Sequence, residues 1–314
     1  MFPFLRRPLL RPLTCAALAL ALALACGATA CREPRSDTPS DARATHVPRD
    51  DWGNPVLAGT TRVPARIVSL NPASTEILFA LGAGSRLVGR THWDVWPPQA
   101  VAVPDLGPGL RPNVEAVLAA HPDLVVLYAS EDNRAAAARL SAAGIHVIAL
   151  RFDRISGFDS ATTLLGRAVG LSDAARVITD SVRRTLAHVR ASTDSLSRRT
   201  VFWHVWDAPL ITIGAGSFLD DLVRIAGGRN VYGDLQPASP VVSLEDVARR
   251  DPDVILAGPE GAARIRSDPA WRAVRAVQRD DVLVVDTTLV GRPSVRLGEA
   301  AVSLARLLHP GWSP

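Results

Sequence analysis

Lysine is absent from this chain, so each of its 35 basic residues is an arginine. We read this as the composition bias of a GC-rich genome; it raises the isoelectric point without marking a site. Cysteine is confined to Cys15, Cys26 and Cys31. The body of the protein therefore holds no disulfide, no zinc–thiolate site and no cysteine nucleophile. The formal net charge is +4, and Arg6, Arg7 and Arg11 supply three of those charges within a leader that has no acid. The nearly neutral remainder excludes a nucleic-acid footprint. Also missing are a Gly-x-Ser-x-Gly elbow, a P-loop and a His-Glu-x-x-His helix. Gly214-Ala215-Gly216 lacks the third glycine of a dinucleotide fingerprint. His92, Asp94 and His204 are residue types that bind metals, but no metal-site spacing joins them. The expectation is a protein that is not an enzyme, with no cofactor and no resident metal.

What is present begins with a leader. Arginines precede an apolar run from Leu13 to Ala25, and small residues follow, which reads as a secretory signal peptide over residues 1–30. The run is too short to span a membrane. Ala28-Thr29-Ala30-Cys31 joins a small-x-small cleavage signal to a cysteine and resembles a bacterial lipobox, with Cys26 as the competing acylation site. An exported, lipid-anchored protein of the periplasm or cell surface is expected, touching the membrane through the anchor alone. Residues 31–64, rich in Arg, Asp, Pro, Ser and Thr, read as a flexible tether.

The folded part carries a repeat. Asn113-Val114-Glu115-Ala116-Val117 leads through Pro122-Asp123 into Leu124-Val125-Val126. Ser243-Leu244-Glu245-Asp246-Val247 leads through Pro252-Asp253 into Val254-Ile255-Leu256 with no gap between the copies. Each reads as a helix capped by Asn or Ser, a glutamate in its first turn, a Pro-Asp break and a buried strand. Either glutamate alone has a sufficient use as a helix-terminus charge; their matched placement implies two similar lobes. Between the copies, Asp173 to about Leu196 lacks Pro and Gly and places Ile178, Val182, Leu186 and Val189 at helical spacing. Such a helix spans roughly 35 Å and reads as a spine, the alternative being a long surface helix of one domain.

Elsewhere strands alternate with helices. Strands are expected at residues 65–70, 87–89, 124–128, 146–150, 200–206, 210–213 and 282–286. Helices are expected from a cap at Ser74 to Gly82, over 134–143, after Ser217, over 271–277 and from about Ser294 to Leu308. The fold class is α/β: two lobes with mostly parallel sheets, over residues 65–171 and 199–314, joined by a long helix within 172–198. In such sheets ligands sit beyond the carboxyl ends of strands, which is where the scarce aromatics fall. Trp93, Trp96, Tyr128, Trp203 and Trp206 are the candidate ligand contacts. Their wide flat rings suit a corrin, a porphyrin or a catecholate chelate.

These features resemble the substrate-binding proteins of bacterial ABC importers for cobalamin, haem and ferric siderophores, most of all the cobalamin-binding members. The resemblance runs from about Arg66 to Leu308. It is carried by Arg66-Ile67-Val68-Ser69-Leu70 with Thr75-Glu76, by Trp96-Pro97-Pro98 and by both glutamate repeats. It implies a rigid interlobe helix, a ligand held between the lobes, and Glu115 and Glu245 as a docking pair for the two subunits of an ABC permease. Where cobalamin-binding members carry aromatics ahead of each glutamate helix, this chain has Gly107-Pro108-Gly109-Leu110 and Pro237-Ala238-Ser239-Pro240. Arg90, Arg111, Arg151 and Arg292 are expected near the mouth, where they would attract an acidic siderophore or haem propionates, and Arg292 is added to the ligand-binding set. The leading expectation is a monomeric binding lipoprotein that delivers a corrinoid to the permease. A ferric siderophore or haem binder is the alternative. A metal enzyme built on His92, Asp94 or His204, and a lipoprotein that binds only a protein partner, are the readings from other classes.

Overall fold

The first strand is set by four consecutive buried residues, Ile67–Leu70 (β1). In the computed structural model, which describes residues 47–56 and 62–314, it lies at the centre of a parallel sheet. Asn71 ends the strand and caps helix α1 (Pro72–Leu81), its side-chain oxygen accepting from the backbone N–H groups of Ala73 and Ser74. The expected cap at Ser74 is thus corrected by three residues. Proline at the first helical position needs no donor, and asparagine just before it supplies the acceptor. Gly82, in the left-handed region at φ 91°, closes the helix.

The first lobe continues with β2 (Leu87–Gly89), α2 (Val114–Ala119), β3 (Leu124–Tyr128), α3 (Glu131–Ala142), β4 (His146–Leu150) and α4 (Ile155–Ala168). Its sheet order is β2-β1-β3-β4, parallel throughout. Helix α5 (Ser172–Thr193) follows. The second lobe then runs β5 (Thr200–Trp203), α6 (Phe218–Ile225), β6 (Arg229–Asn230), α7 (Leu244–Arg250), β7 (Val254–Ala257), α8 (Pro259–Ser267), α9 (Arg275–Gln278), β8 (Val282–Val284), α10 (Thr287–Val290) and α11 (Leu297–Leu308). Its sheet, β6-β5-β7-β8, has the same order and the same parallel sense.

The repeat read in the sequence occupies equivalent places in the two lobes: α2 into β3, and α7 into β7. The shared residues have structural duties. His121 and Asp251, each just before the Pro-Asp pair, adopt positive φ of 47° and 49°. Asp123 accepts from the backbone N–H groups of Ala65 and Arg66 at 2.8 and 3.0 Å. Asp253 accepts from the N–H and hydroxyl of Thr200 at 2.7 and 2.8 Å. Each aspartate therefore latches the start of its lobe's first strand to the start of its third.

Helix α5 buries Ala175, Thr179, Val182, Leu186 and Val189 along one face. That face packs on α1 and α4 of the first lobe and on α6 and α11 of the second, within one hydrophobic cluster. Several expected elements shift. Helix α3 begins at Glu131, ahead of Arg134. Residues 210–213 form no strand; Ile211 makes isolated bridges to Trp206 and Val241. Helix α4 lacks a counterpart in the sequence reading because Gly157 and its polar residues blur the periodicity.

The tether is also shorter than expected. Asp50 is 6% exposed and its carboxylate accepts from the N–H groups of Trp52, Asn54 and Ala149. The N–H of Asp51 donates to the Ala149 carbonyl at 3.0 Å, and the Asp51 carboxylate accepts from Arg151 N–H at 2.6 Å. Val56 joins the core. A polar composition hides this attachment because it runs through carboxylates and backbone. The expected signal peptide, Cys26, Cys31 and residues 31–46 lie outside the described residues.

Candidate functional site

A cavity of about 730 Å³ opens at the carboxyl ends of β5 and β7. Trp203 and Trp206 wall it, with apolar support from Leu219 and Val290. Trp203 is buried at 4% exposure, whereas Trp206 stands out at 61% and anchors its indole N–H on the Ala208 carbonyl at 3.2 Å. Beyond the indoles, the polar side chains are His204, Asp207, Glu260, Arg264 and Thr287. Asp207 takes a hydrogen bond from Nε2 of buried His204 at 2.9 Å and pairs with Arg264 at 3.1 Å. His204 is also packed edge-on against Trp271 and fits beneath Gly261, where a Cβ would come within 2.7 Å of its Nδ1. His204 is therefore held by hydrogen bonding and packing. Among the described residues no group of three His, Cys, Asp or Glu is placed to hold a metal ion.

The first lobe contributes the loop that carries Trp93 and Trp96. Its rivet is Asp94, fully buried, which accepts from the hydroxyls of Thr75 and Thr91, both at 2.6 Å. Burial pushes its carboxyl above the usual range, against the pull of those hydrogen bonds. The rivet holds Trp93 out at 63% exposure, with the His92 ring tilted against it. Trp96 is half-buried and carries the Arg296 guanidinium of the second lobe 4.9 Å from its ring. Tyr128 donates its hydroxyl to Asp153. Burial first, and then that carboxylate, pushes the phenol up to about 12.

The lobes meet through charge. Glu76 on α1, 1% exposed, accepts from the hydroxyl of Ser294 and from Arg292 at 3.3 Å. Burial drives its carboxyl upward, while Ser294, Arg292 and Arg296 oppose the rise. Arg292 also reaches the Trp93 carbonyl at 3.5 Å. A second tie joins Arg154 to Asp221 at 2.9 Å.

Of the candidate ligand contacts, Trp203 and Trp206 line the cavity; Trp93, Trp96, Tyr128 and Arg292 do not. Arg292 follows the cavity-lining Gly291, and its guanidinium is turned to Glu76. The other arginines expected at the mouth are engaged too. Arg90 donates to the Thr91 and Val101 carbonyls. Arg111 pairs with Asp132 at 2.9 Å. Arg151 donates to the Ala129 carbonyl and lies 3.6 Å from Asp153. The charged cavity residues missed in the sequence are Asp207, Glu260 and Arg264. Glu260 and Arg264 share a face of α8 at i,i+4 spacing, so recognising that helix behind Pro259 would have placed both on one side of it.

Glu115 and Glu245 hold the same second position in α2 and α7, behind caps formed by Asn113 and Ser243. Both carboxyls lie below the usual range. For Glu115 the first cause is its hydrogen bond from Arg139 at 2.6 Å; for Glu245 it is its own backbone N–H at the helix start.

A model of the periplasmic binding protein family matches residues 67–289. A cobalamin-binding protein of Halobacterium salinarum is 28% identical over 309 residues, covering 93% of this chain and 82% of its own. YvrC, an uncharacterized ABC transporter substrate-binding lipoprotein of Bacillus subtilis, is 29% identical over 307 residues, covering 94% of this chain and 96% of its own. Among solved structures, the periplasmic vitamin B12 binding protein BtuF of Vibrio cholerae superposes with a TM-score of 0.70 at 25% identity, covering 78% of this chain and 96% of that one.

Proposed function

The chain belongs to the periplasmic binding protein family, and from that premise we propose that it is the substrate-binding component of an ABC importer, capturing a corrinoid and delivering it to the permease. As a member of that family it is exported. The observation that carries the ligand reading is the indole-walled cavity of about 730 Å³ at the strand ends. Wide apolar rings at a concave site favour a large flat ligand, and relatives named for cobalamin support the choice of a corrin. Trp203 and Trp206 form the wall, and exposed Trp93 is the proposed contact from the first lobe. Trp96, Tyr128 and Arg292 hold the surrounding frame, because their faces or polar ends are already engaged.

Glu115 and Glu245 serve as the docking pair for a two-subunit permease. Their equivalent, exposed positions in two lobes of one topology support that assignment. Acylation of Cys31, with Cys26 as the alternative, supplies the membrane anchor; the lipoprotein description of YvrC supports it.

Titration of the purified protein with cyanocobalamin, haemin and a ferric catecholate, read by tryptophan fluorescence, tests the ligand. Quenching by cyanocobalamin is expected. Quenching by haemin or the catecholate alone moves the ligand to that chelate, and silence with all three removes the reading.

A further inference from the structure

The rim of the cavity is short of positive charge. It presents two carboxylates, Asp207 and Glu260, against one guanidinium, Arg264. That guanidinium is committed to Asp207 at 3.1 Å, and Asp207 also takes the His204 hydrogen bond at 2.9 Å. Among the described residues no cation pairs with Glu260, which is exposed one turn ahead of Arg264. Nor do neighbouring arginines make up the deficit. Arg292 is held by Glu76, Arg296 by Glu299 at 3.0 Å and Arg154 by Asp221.

We infer that this cavity selects its ligand by charge: it accepts a chelate whose periphery ends in uncharged amides or esters and rejects the counterpart that carries free carboxylates, with Glu260 setting the discrimination. The inference rests on the reading of this cavity as the ligand site. A carboxylate entering here has one cation to meet, Arg264. Engaging it means separating Arg264 from Asp207, so one ion pair is exchanged for another with no gain. The displaced Asp207 and the unpaired Glu260 then face the incoming anion, and like charges brought together at a binding site are unfavourable. An amide periphery meets the opposite situation. Its N–H groups donate to the free oxygens of Glu260, and hydrogen bonds to ionised acceptors are the stronger kind. The Arg264–Asp207 pair stays intact.

Two matched pairs of ligands test this. One is cyanocobalamin against its monocarboxylic acid, in which a single peripheral amide has been hydrolysed. The other is haemin dimethyl ester against haemin. Dissociation constants are measured for the wild-type protein and for Glu260→Gln. In whichever pair binds, the acid should be weaker than its uncharged counterpart by about tenfold or more, as expected for an added like charge at a binding site. Glu260→Gln should narrow that ratio, chiefly by tightening the acid. An acid that binds as well as its uncharged partner, or a ratio untouched by Glu260→Gln, overturns the inference. If the corrinoids are silent and the haem pair binds, the corrinoid reading falls while the haem pair still decides the question of charge. Silence of all four removes the cavity as a tetrapyrrole site and the inference with it.

Discussion

Glu76 sets burial against charge. It is 1% exposed, yet it accepts from both Ser294 and Arg292 across the lobes. Its carboxyl is raised, with burial as the main cause. In the folded protein it therefore keeps its proton at a pH where the unfolded chain has already released it. Stability from this group is largest near the ordinary carboxylate value and declines as pH rises through the raised folded value. Glu76→Gln removes that dependence. Between neutral pH and about pH 5 the wild type should gain thermal stability relative to the variant as the solution is acidified, measured as the difference in melting temperature. A constant difference across that range would show that the group does not titrate there. Asp94 is raised in the same sense, so Asp94 is best left intact while Glu76 is probed.

At the scale of elements, the paired Pro-Asp turns tie sequence to fold. Strands β3 and β4 fall where the sequence places them, because β-branched runs bounded by Pro-Asp and Gly leave little choice of register. The same turns hold the aspartates that join first and third strands in each lobe. Asp253→Ala leaves the N–H of Thr200 without its acceptor and should cost about 1–3 kcal/mol in urea unfolding, the usual penalty for orphaning a partly buried donor. An unchanged midpoint would assign the latch to the backbone alone. The sequence was least readable at α4 and α8. Gly157 and Gly261 interrupt their helical patterns, and Gly261 is there because His204 occupies the space of a side chain. That packing also explains why the site was only half legible. Trp203 and Trp206 announce themselves as aromatics at a strand end. The Asp207–Arg264 pair joins a loop to a helix that local pattern does not connect, and the engagement of Arg292 depends on Glu76 in the other lobe.

Over the whole molecule, two sheets of identical strand order are joined through α5, and each carries one glutamate at the same topological place. If those glutamates dock a permease, Glu115→Ala combined with Glu245→Ala should leave ligand affinity unchanged and abolish uptake by cells. Loss of affinity instead would return both residues to the fold or the pocket. The two are not in the same state beforehand: Glu115 pairs with Arg139 at 2.6 Å, and Glu245 has no such cation among the described residues. An exposed pair of this kind is weak, so Arg139 can yield to a stronger partner.

The short segment over residues 47–56 has a bearing on crowding. Strand β4 is the last in its sheet, and the outer strand of a sheet offers a row of free N–H and carbonyl groups on which another chain can assemble. Asp50 and Asp51 occupy that row at Ala149 and Arg151. A chain cut back to Ala65 would bare the edge and leave an open flank for self-association.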